Sequence, residues 1–271
     1  MAGKKGPAER FFGAHAREYS KSRGHAHGTD LASLLAALDP KPGDVALDVA
    51  TGTGFTAVAI APLVRRVTGI DVTPEMLGEA KRLSSSKGLA NATFELGDAL
   101  DIRASDGSFD IVTTRRATHH FADVPRFIRE TKRVLKPGGR LGVADMSPPE
   151  GAEAFSNTIE KLRDSSHVEA FTPSKWRSMI SAAGLEIRFL QVLDEQVSFE
   201  KWLDPVGLGG PEEKSVRRAW GDADRNIRTL LHAVFEKGTI CGWMKSRVVL
   251  VASKPRVPRY HEQLKAKPFF V

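Results

Sequence analysis

Two glycines follow an apolar run in a pattern that suits close contact with a bound ligand. The run begins at Val45 and leads into Gly52 and Gly54, and a helical pattern starts at Thr56. Glycine permits a positive φ and a close approach of the backbone, while the start of a helix offers unpaired N–H groups. The segment from Gly52 to Ala57 also matches the dinucleotide-binding pattern Gly-x-Gly-x-x-Ala. A tight turn between strand and helix would need the same glycines, so both interpretations stay open.

Two further carboxylates stand where the next two strands are expected to end. Asp71, followed by Val72, lies 17 positions after the second glycine, and a carboxylate there is able to accept hydrogen bonds from ribose hydroxyls. Asp98 follows the third strand, where it would accept from an adenine amine while the N–H of Ala99 faces a ring nitrogen. The alternatives are an aspartate that caps a helix and an aspartate in a turn. Together with the glycines, these residues predict a site for an adenosine-containing cofactor.

His119 and His120 follow the expected fourth strand, at the edge of the sheet where the reactive end of such a cofactor would lie. The unperturbed pKa of histidine is about 6.5, which suits a general base. Adjacent residues in a turn point in different directions, so we expect one of the two at most to act on a substrate. The alternative is that both histidines are structural.

Three residues are candidates for further contacts. Arg115 is predicted at the cofactor or at a substrate anion, because guanidinium groups bind carboxylates through two parallel hydrogen bonds. His167 and Trp176 are predicted at the substrate, with a solvated histidine and a tryptophan packed in the core as the respective alternatives. We predict no metal site.

The N-terminal segment is rich in aromatic residues and histidines. His25 and His27, together with Tyr19, are candidates for a segment that closes over the cofactor, and loop solvation is the alternative. Together with His15, these two histidines have a spacing that could bind a metal ion. The pattern is weak, because no carboxylate is fixed nearby.

Strand-like and helical patterns alternate from residue 40 onward, which predicts an α/β fold with a mostly parallel sheet. The expected strands are Val45–Ala50, Val67–Asp71, Ala92–Leu96, Phe109–Thr113, Arg140–Asp145, Leu185–Gln191 and Arg247–Ala252. The expected helices are Asp30–Leu38, Thr56–Arg65, Pro74–Lys87 and Val124–Leu135, and the Lys-Pro-Gly-Gly sequence that starts at Lys136 predicts a turn.

We predict one catalytic domain divided into four stretches. Residues 1–40 form an N-terminal lead-in and helix, and 41–145 form the cofactor-binding core. Residues 146–253 carry helical insertions, at 146–183 and 192–245, around the last two strands, and 254–271 form a basic tail. Insertions at strand ends in such folds usually build the substrate side of the cleft, so a helical cap is expected.

Composition and charge exclude several classes of protein. The 271 residues are 41% hydrophobic, and one cysteine rules out an internal disulfide framework. The net charge of +7 comes from the two ends, since residues 1–23 and 254–271 hold 11 of the 40 basic residues and only 3 of the 33 acidic ones. Nucleic-acid binding is therefore not favoured. No apolar run reaches the ~20 residues of a membrane helix, and a cytoplasmic protein is expected.

The order of these motifs resembles the class I S-adenosylmethionine-dependent methyltransferases over residues 40–145. The likeness is greatest to the ubiquinone- and menaquinone-biosynthesis C-methyltransferases and to uncharacterised bacterial relatives. The resemblance implies a Rossmann-like sheet of seven strands, the last one antiparallel, with helices on both faces. It also implies Asp48 near the methionine amino group, Asp71 at the ribose, and Asp98 with Ala99 at the adenine. Ala50 stands at the first glycine of the family pattern, as it also does in the quinone branch.

The predicted function is methyl transfer from S-adenosylmethionine to oxygen or carbon of a small organic acceptor. An NAD(P)-linked oxidoreductase is the rival enzyme class, since the glycine turn would suit both cofactors. The Tyr-x-x-x-Lys pair of short-chain reductases is missing. A scaffold that binds the cofactor without turnover is the third possibility.

Overall fold

An eight-stranded sheet runs through the residues that this computed structural model describes, which are 6–20, 26, 28–203 and 207–256. The strands are β1 (Val45–Val49), β2 (Arg66–Asp71), β3 (Ala92–Leu96), β4 (Phe109–Arg115), β5 (Leu135–Met146), β6 (Glu186–Ser198), β7 (Val234–Glu236) and β8 (Thr239–Ser253). Their order is β3-β2-β1-β4-β5-β8-β6, with the short β7 paired to β8. The contacts among β1 to β5 are parallel, and β8 is antiparallel to both of its long neighbours.

Ten α-helices lie among the described residues. They are α1 (Pro7–Tyr19), α2 (Thr29–Leu38), α3 (Phe55–Ile60), α4 (Pro74–Ser86), α5 (Val124–Val134), α6 (Glu153–Arg163), α7 (Pro173–Ala182), α8 (Phe199–Leu203), α9 (Pro211–Asp222) and α10 (Arg225–Leu230). Short 3-10 turns follow α3 at Ala61–Leu63 and precede α5 at Thr118–His120. None of the described helices is long and apolar enough to cross a bilayer.

Apolar side chains cover both faces of the sheet. In β1, the alternate residues Val45, Leu47 and Val49 join one buried cluster, and Ala46 joins a second. Successive side chains of a strand point to opposite faces, so helices must pack on both sides. The prediction of a Rossmann-like, mostly parallel sheet with an antiparallel last strand is confirmed, with β7 as one short additional strand.

The largest correction concerns residues 192–245, which are not helical throughout. Strand β6 continues to Ser198, and β8 starts at Thr239. The first and last residues of the insertion therefore pair with each other as antiparallel strands, from Val192↔Val248 to Ser198↔Gly242. Helices α8, α9 and α10 lie between them in sequence. They bury a separate cluster that includes Trp202, Trp220 and Trp243.

Two smaller elements also differ from expectation. The helix after the glycine turn ends at Ile60, because Pro62 follows within the 3-10 turn and β2 begins at Arg66. The Lys-Pro-Gly-Gly sequence lies within β5, where the register against β4 shifts between Phe109↔Leu135 and Ile111↔Arg140, so it forms an irregularity inside the strand and not a turn before it. There the N–H of Gly138, at φ +82°, donates to the Lys254 carbonyl at 2.8 Å.

Candidate active site

The glycine turn joins β1 to α3 with three residues in left-handed conformations. Gly52 has a φ of +54° and Gly54 one of +84°, and Ala50 reaches +53° despite its side chain. A Cβ atom on Gly54 would stand 2.8 Å from the Cβ of Ala80 on α4, so glycine is also needed for close packing. Gly52 faces open space instead, and its backbone lines the cleft described below.

Asp48 supports this turn from below and does not line the cleft. Its carboxylate accepts hydrogen bonds from Thr51 Oγ1 at 2.6 Å and from Thr113 Oγ1 at 2.7 Å. The side chain is buried, and burial raises its pKa to about 6 although the two hydroxyls lower it. Asp48 therefore contacts the turn in this structure, and the contact with the methionine amino group that the resemblance implies stays a prediction.

Asp71 ends β2 and holds two backbone groups of the cleft. Its Oδ2 accepts from the N–H of Gly52 at 2.8 Å, and its Oδ1 accepts from the N–H of Thr73 at 2.9 Å. Burial raises the pKa of this carboxyl, against the lowering effect of those hydrogen bonds. Hydrogen bonds from the Thr73 hydroxyl and from the backbone of Val72 also lower this pKa.

The turn after β3 presents an acceptor and a donor side by side. Asp98 is exposed, and its Oδ1 accepts from the N–H of Leu100 at 2.8 Å. Among the described residues, the adjacent N–H of Ala99 makes no hydrogen bond. Val72 is 44% exposed and adds an apolar surface to the same cleft.

These residues line a first cleft of about 260 Å³ at the carboxyl ends of the strands. The lining includes Ala50, Gly52, Asp71, Val72, Asp98, Ala99 and Arg115, all of them predicted cofactor residues. Aromatic side chains from the N-terminal helix, Phe12 and Tyr19, complete the wall. The left-handed glycine turn, the Asp71 carboxylate in the cleft wall and the unpaired Ala99 N–H fit an adenosine-containing cofactor.

A second cavity of about 230 Å³ adjoins the first. Phe12, Tyr19, Arg116 and His120 line both. The second cavity is otherwise bounded by His119 and by charged side chains from β5, α6 and β8. A molecule bound there would lie next to a ligand in the first cleft.

His119 forms a buried pair with Asp145 at the end of β5. The Nδ1 of His119 lies 2.6 Å from Asp145 Oδ1, and the other carboxylate oxygen accepts from the backbone N–H of Thr118 at 2.6 Å. Burial alone would raise the pKa of Asp145, but His119 and the hydrogen bonds hold it well below its usual range. An ionised Asp145 only accepts, so Nδ1 of His119 carries the proton. The Nε2 atom makes no hydrogen bond within the described part of the chain.

His120 and His167 lie beside this pair in different environments. The ring of His120 contacts that of His119 at 4.0 Å between centroids, and its Nδ1 lies 3.1 Å from the Ser166 carbonyl. Burial is the main cause that lowers the pKa of His120 to about 3 and that of His167 to about 4, and repulsion from His119 in its protonated form adds to it. His167 Nε2 also lies 2.7 Å from Asn157 Oδ1. Both rings are therefore neutral at pH 7, and both are weak bases.

Arg115 and Arg116 both form ion pairs with one buried carboxylate on helix α2. Asp30 accepts from Arg115 Nη2 at 2.9 Å and from Arg116 Nη2 at 3.0 Å, with a second contact to each guanidinium. Both arginines line the first cleft, and Arg116 adopts a φ of +54° there. The ion pairs hold α2 against the edge of the cleft.

Trp176 does not line either cavity. It is fully buried in the main core, where its ring contacts Phe171 edge-on at 6.1 Å. Core packing therefore explains the position of Trp176. This position corrects the prediction that Trp176 forms a wall of the substrate site. His25 and His27 lie outside the described residues.

Sequence reasoning missed Asp145, which the structure places in the wall of the second cavity. The available signal was a carboxylate at the carboxyl end of an apolar strand, where β5 reaches the same edge as Asp71. It also missed Glu160, Arg163 and Lys245, whose positions depend on how the insertions fold back.

Comparisons with known proteins agree with this geometry. A family model described as "Methyltransferase domain" matches residues 40–187. The uncharacterized methyltransferase YcgJ of Bacillus subtilis is 34% identical to this chain, over 76% of this chain and 82% of the YcgJ chain. The crystal structure of YcgJ superimposes on this chain with a TM-score of 0.81, over 85% of this chain and 100% of the YcgJ chain. A demethylmenaquinone methyltransferase of Deinococcus radiodurans is 41% identical over 47% of this chain and 53% of its own.

The family match covers more than half of the chain, and the YcgJ structure shares the fold of this chain over 85% of its length. The glycine turn, Asp71 and Asp98 stand at the matched segment's strand ends. The chain therefore belongs to the methyltransferase domain family and is a class I S-adenosylmethionine-dependent methyltransferase.

Proposed function

We propose that the enzyme methylates an oxygen or carbon atom of a small organic acceptor that binds in the second cavity. S-adenosylmethionine, when bound, supplies a methyl group activated on a sulfonium, so the protein needs mainly to align the acceptor and to exclude water. The observation that carries the proposal is the His119–Asp145 pair at 2.6 Å, which faces a cavity that adjoins the first cleft.

His119 is proposed as the general base. Asp145 fixes the proton on Nδ1, which leaves Nε2 to take the proton from an acceptor O–H or C–H as the methyl group is transferred. Of the two histidines that the sequence offered as a general base, we therefore propose His119, because His120 is a weak base. His167 remains a proposed substrate contact, since it lines the same cavity.

Cofactor binding is proposed for the residues of the first cleft. The backbone at Ala50 and Gly52 would approach the methionine moiety, Asp71 would accept from the ribose, and Asp98 with Ala99 would meet the adenine. Gly54 and Asp48 would act indirectly, by packing and by supporting the turn. Arg115 lies in the wall of the cleft, but its guanidinium already donates twice to Asp30.

Replacing Asp71 with alanine tests the cofactor site. We expect the affinity for S-adenosylhomocysteine to fall about tenfold or more, which corresponds to ~1.4 kcal/mol. The variant loses a ribose acceptor and also the hydrogen bond that holds the Gly52 N–H. Calorimetric titration measures the change. Asp101→Ala, which removes an exposed carboxylate beside the same cleft, is the control and should bind S-adenosylhomocysteine as tightly as the unmodified protein does. Equal affinities of the two variants for S-adenosylhomocysteine would exclude Asp71 from the ribose role.

Methyl transfer itself is tested with S-adenosylmethionine that carries an isotopic label on the methyl group. Phenols, hydroxy acids and 1,3-dicarbonyl compounds form a suitable first panel, because each offers an oxygen or carbon that a histidine is able to deprotonate. Label in the oxygen- or carbon-methylated product is the expected result. Transfer only to amine or thiol acceptors in a wider panel would contradict the proposal.

A further inference from the structure

The second cavity contains a buried cluster in which one carboxylate is shared by two cations. Glu160 of α6 is ion-paired to Lys245 Nζ of β8 at 2.5 Å, and Arg163 Nη1 approaches it at 3.6 Å. Trp202 Nε1 also donates to Glu160 at 3.3 Å. The two cations are only 15% and 17% exposed, so the cluster holds one positive charge that Glu160 does not balance.

Arg163 has hydrogen-bonding capacity that the protein leaves unused. Its guanidinium carries five N–H donors, yet it makes no hydrogen bond within the part of the chain that the structure describes. Its Nε is buried without a partner, and the guanidinium lies over the Trp202 ring at 5.0 Å from the centroid. Buried donors are normally satisfied, so an arginine with an unsatisfied buried donor in a cavity wall indicates a ligand that accepts hydrogen bonds.

The other charged groups around the cavity are held by partners within the protein or are exposed. Arg247 pairs with Glu195 on β6, and Lys201 is exposed. Of the remaining carboxylates, Asp145 is occupied by His119 and backbone N–H groups, and Asp164 accepts from Ser166 at 2.6 Å and 2.8 Å. Both acids thus have their acceptors satisfied by donors of the protein, whereas the buried Nε of Arg163 has no acceptor.

We propose that the methyl acceptor is itself an anion, and that Arg163 and Lys245 bind its carboxylate or phosphate group. The proposal rests on the proposed function, since it places the acceptor in the same cavity as His119. A planar guanidinium binds either anion through two parallel hydrogen bonds, and Lys245 adds a point charge. The cavity of about 230 Å³ limits the acceptor to a compact molecule.

Matched sets of small phenols test the proposal. The 2-, 3- and 4-hydroxybenzoates are compared with the corresponding hydroxybenzamides and hydroxyphenyl phosphates, by calorimetry on the full chain saturated with S-adenosylhomocysteine. We expect at least one anion to bind about tenfold more tightly than its amide. Comparison of benzoates with phosphates then decides which acidic group the site prefers.

Variants connect that preference to the two cations. Arg163→Gln and Lys245→Gln should each lower anion affinity about tenfold or more and leave S-adenosylhomocysteine affinity unchanged. The matched control is Lys161→Gln, which removes the same charge from an exposed position on the same helix. This variant should bind the anion like the unmodified protein.

Three results would overturn the proposal: no binding of any anion, equal binding of acids and amides, or anion affinity unchanged in both variants. Its failure is distinguishable from failure of the proposed function. Methyl transfer to a neutral phenol would leave the function of His119 standing and contradict an anionic acceptor. Anion binding that depends on Arg163, without transfer to any oxygen or carbon acceptor, would support the anion site and contradict the proposed chemistry.

Discussion

Replacing His119 with glutamine lowers the rate of methyl transfer about 100-fold or more, if His119 is the general base. General bases typically contribute 10²- to 10⁴-fold, and glutamine keeps the size and polarity of the side chain without accepting a proton. Asp145 lies 2.6 Å from the Nδ1 of the ring and leaves Nε2 as the reactive atom. Initial rates with labelled methyl donor measure the effect.

The same substitution should leave the affinity for S-adenosylhomocysteine unchanged, because His119 lines the second cavity and not the first. His120→Gln is the discriminating variant, and its rate should fall far less, since burial keeps that ring a weak base. His232→Asn, at an exposed left-handed position, serves as an inert control. Full activity of His119→Gln would end its assignment as the base.

Replacing Asp30 with asparagine lowers the free energy of unfolding by about 3–5 kcal/mol. Removing one partner of a buried ion pair leaves the other charge without compensation, which is the costly case. Arg115 is 3% exposed and Arg116 is 17% exposed, and both are ion-paired to this carboxylate. Urea denaturation measures the loss. The variant should also bind the cofactor less well, because both arginines line the first cleft.

Asp39→Asn is the matched control, since Asp39 pairs with Lys41 in an exposed position and asparagine tolerates its left-handed backbone. No measurable change in stability is expected for that variant. A loss in Asp30→Asn no larger than in the control would show that the buried ion pairs do not hold α2 in place.

The same carboxylate gives stability a defined pH dependence. Burial would raise the pKa of Asp30, but its hydrogen bonds to Arg115 and Arg116 hold it well below the unfolded value of about 3.9. A lowered folded-state pKa contributes stability above the unfolded pKa, and that contribution is lost as the pH falls below about 4. In the Asp30→Asn variant, the free energy of unfolding should not show this loss as the pH falls below about 4. An identical pH dependence of stability in the variant and in the unmodified protein would contradict this role of Asp30.

The sheet and the cofactor cleft were accessible to sequence reasoning because their signals are local. Alternation of apolar runs with helical ones predicts the strands, and the glycine turn and Asp71 follow strand ends within about twenty positions of each other. The carboxyl ends of parallel strands share one edge, so residues distant in sequence were expected to meet there.

The second cavity could not be predicted in the same way, because its pairs are long-range. Glu160 meets Lys245 across 85 positions, and that contact depends on the antiparallel pairing of β6 with β8 far beyond the expected strand ends. Residues 192–198 and 239–245 carry no clear strand pattern, and their pairing comes from tertiary structure. Trp176 has helical spacing with Met179 and Ile180, and its place in the core follows the simpler of its two interpretations.

The most direct test of the account is a parallel calorimetric titration of the purified protein with S-adenosylhomocysteine and NADH. The first cleft as described should bind S-adenosylhomocysteine and not NADH, since the chain belongs to the methyltransferase domain family. Binding of NADH without binding of S-adenosylhomocysteine would contradict the account and make Asp71 the ribose ligand of a dinucleotide.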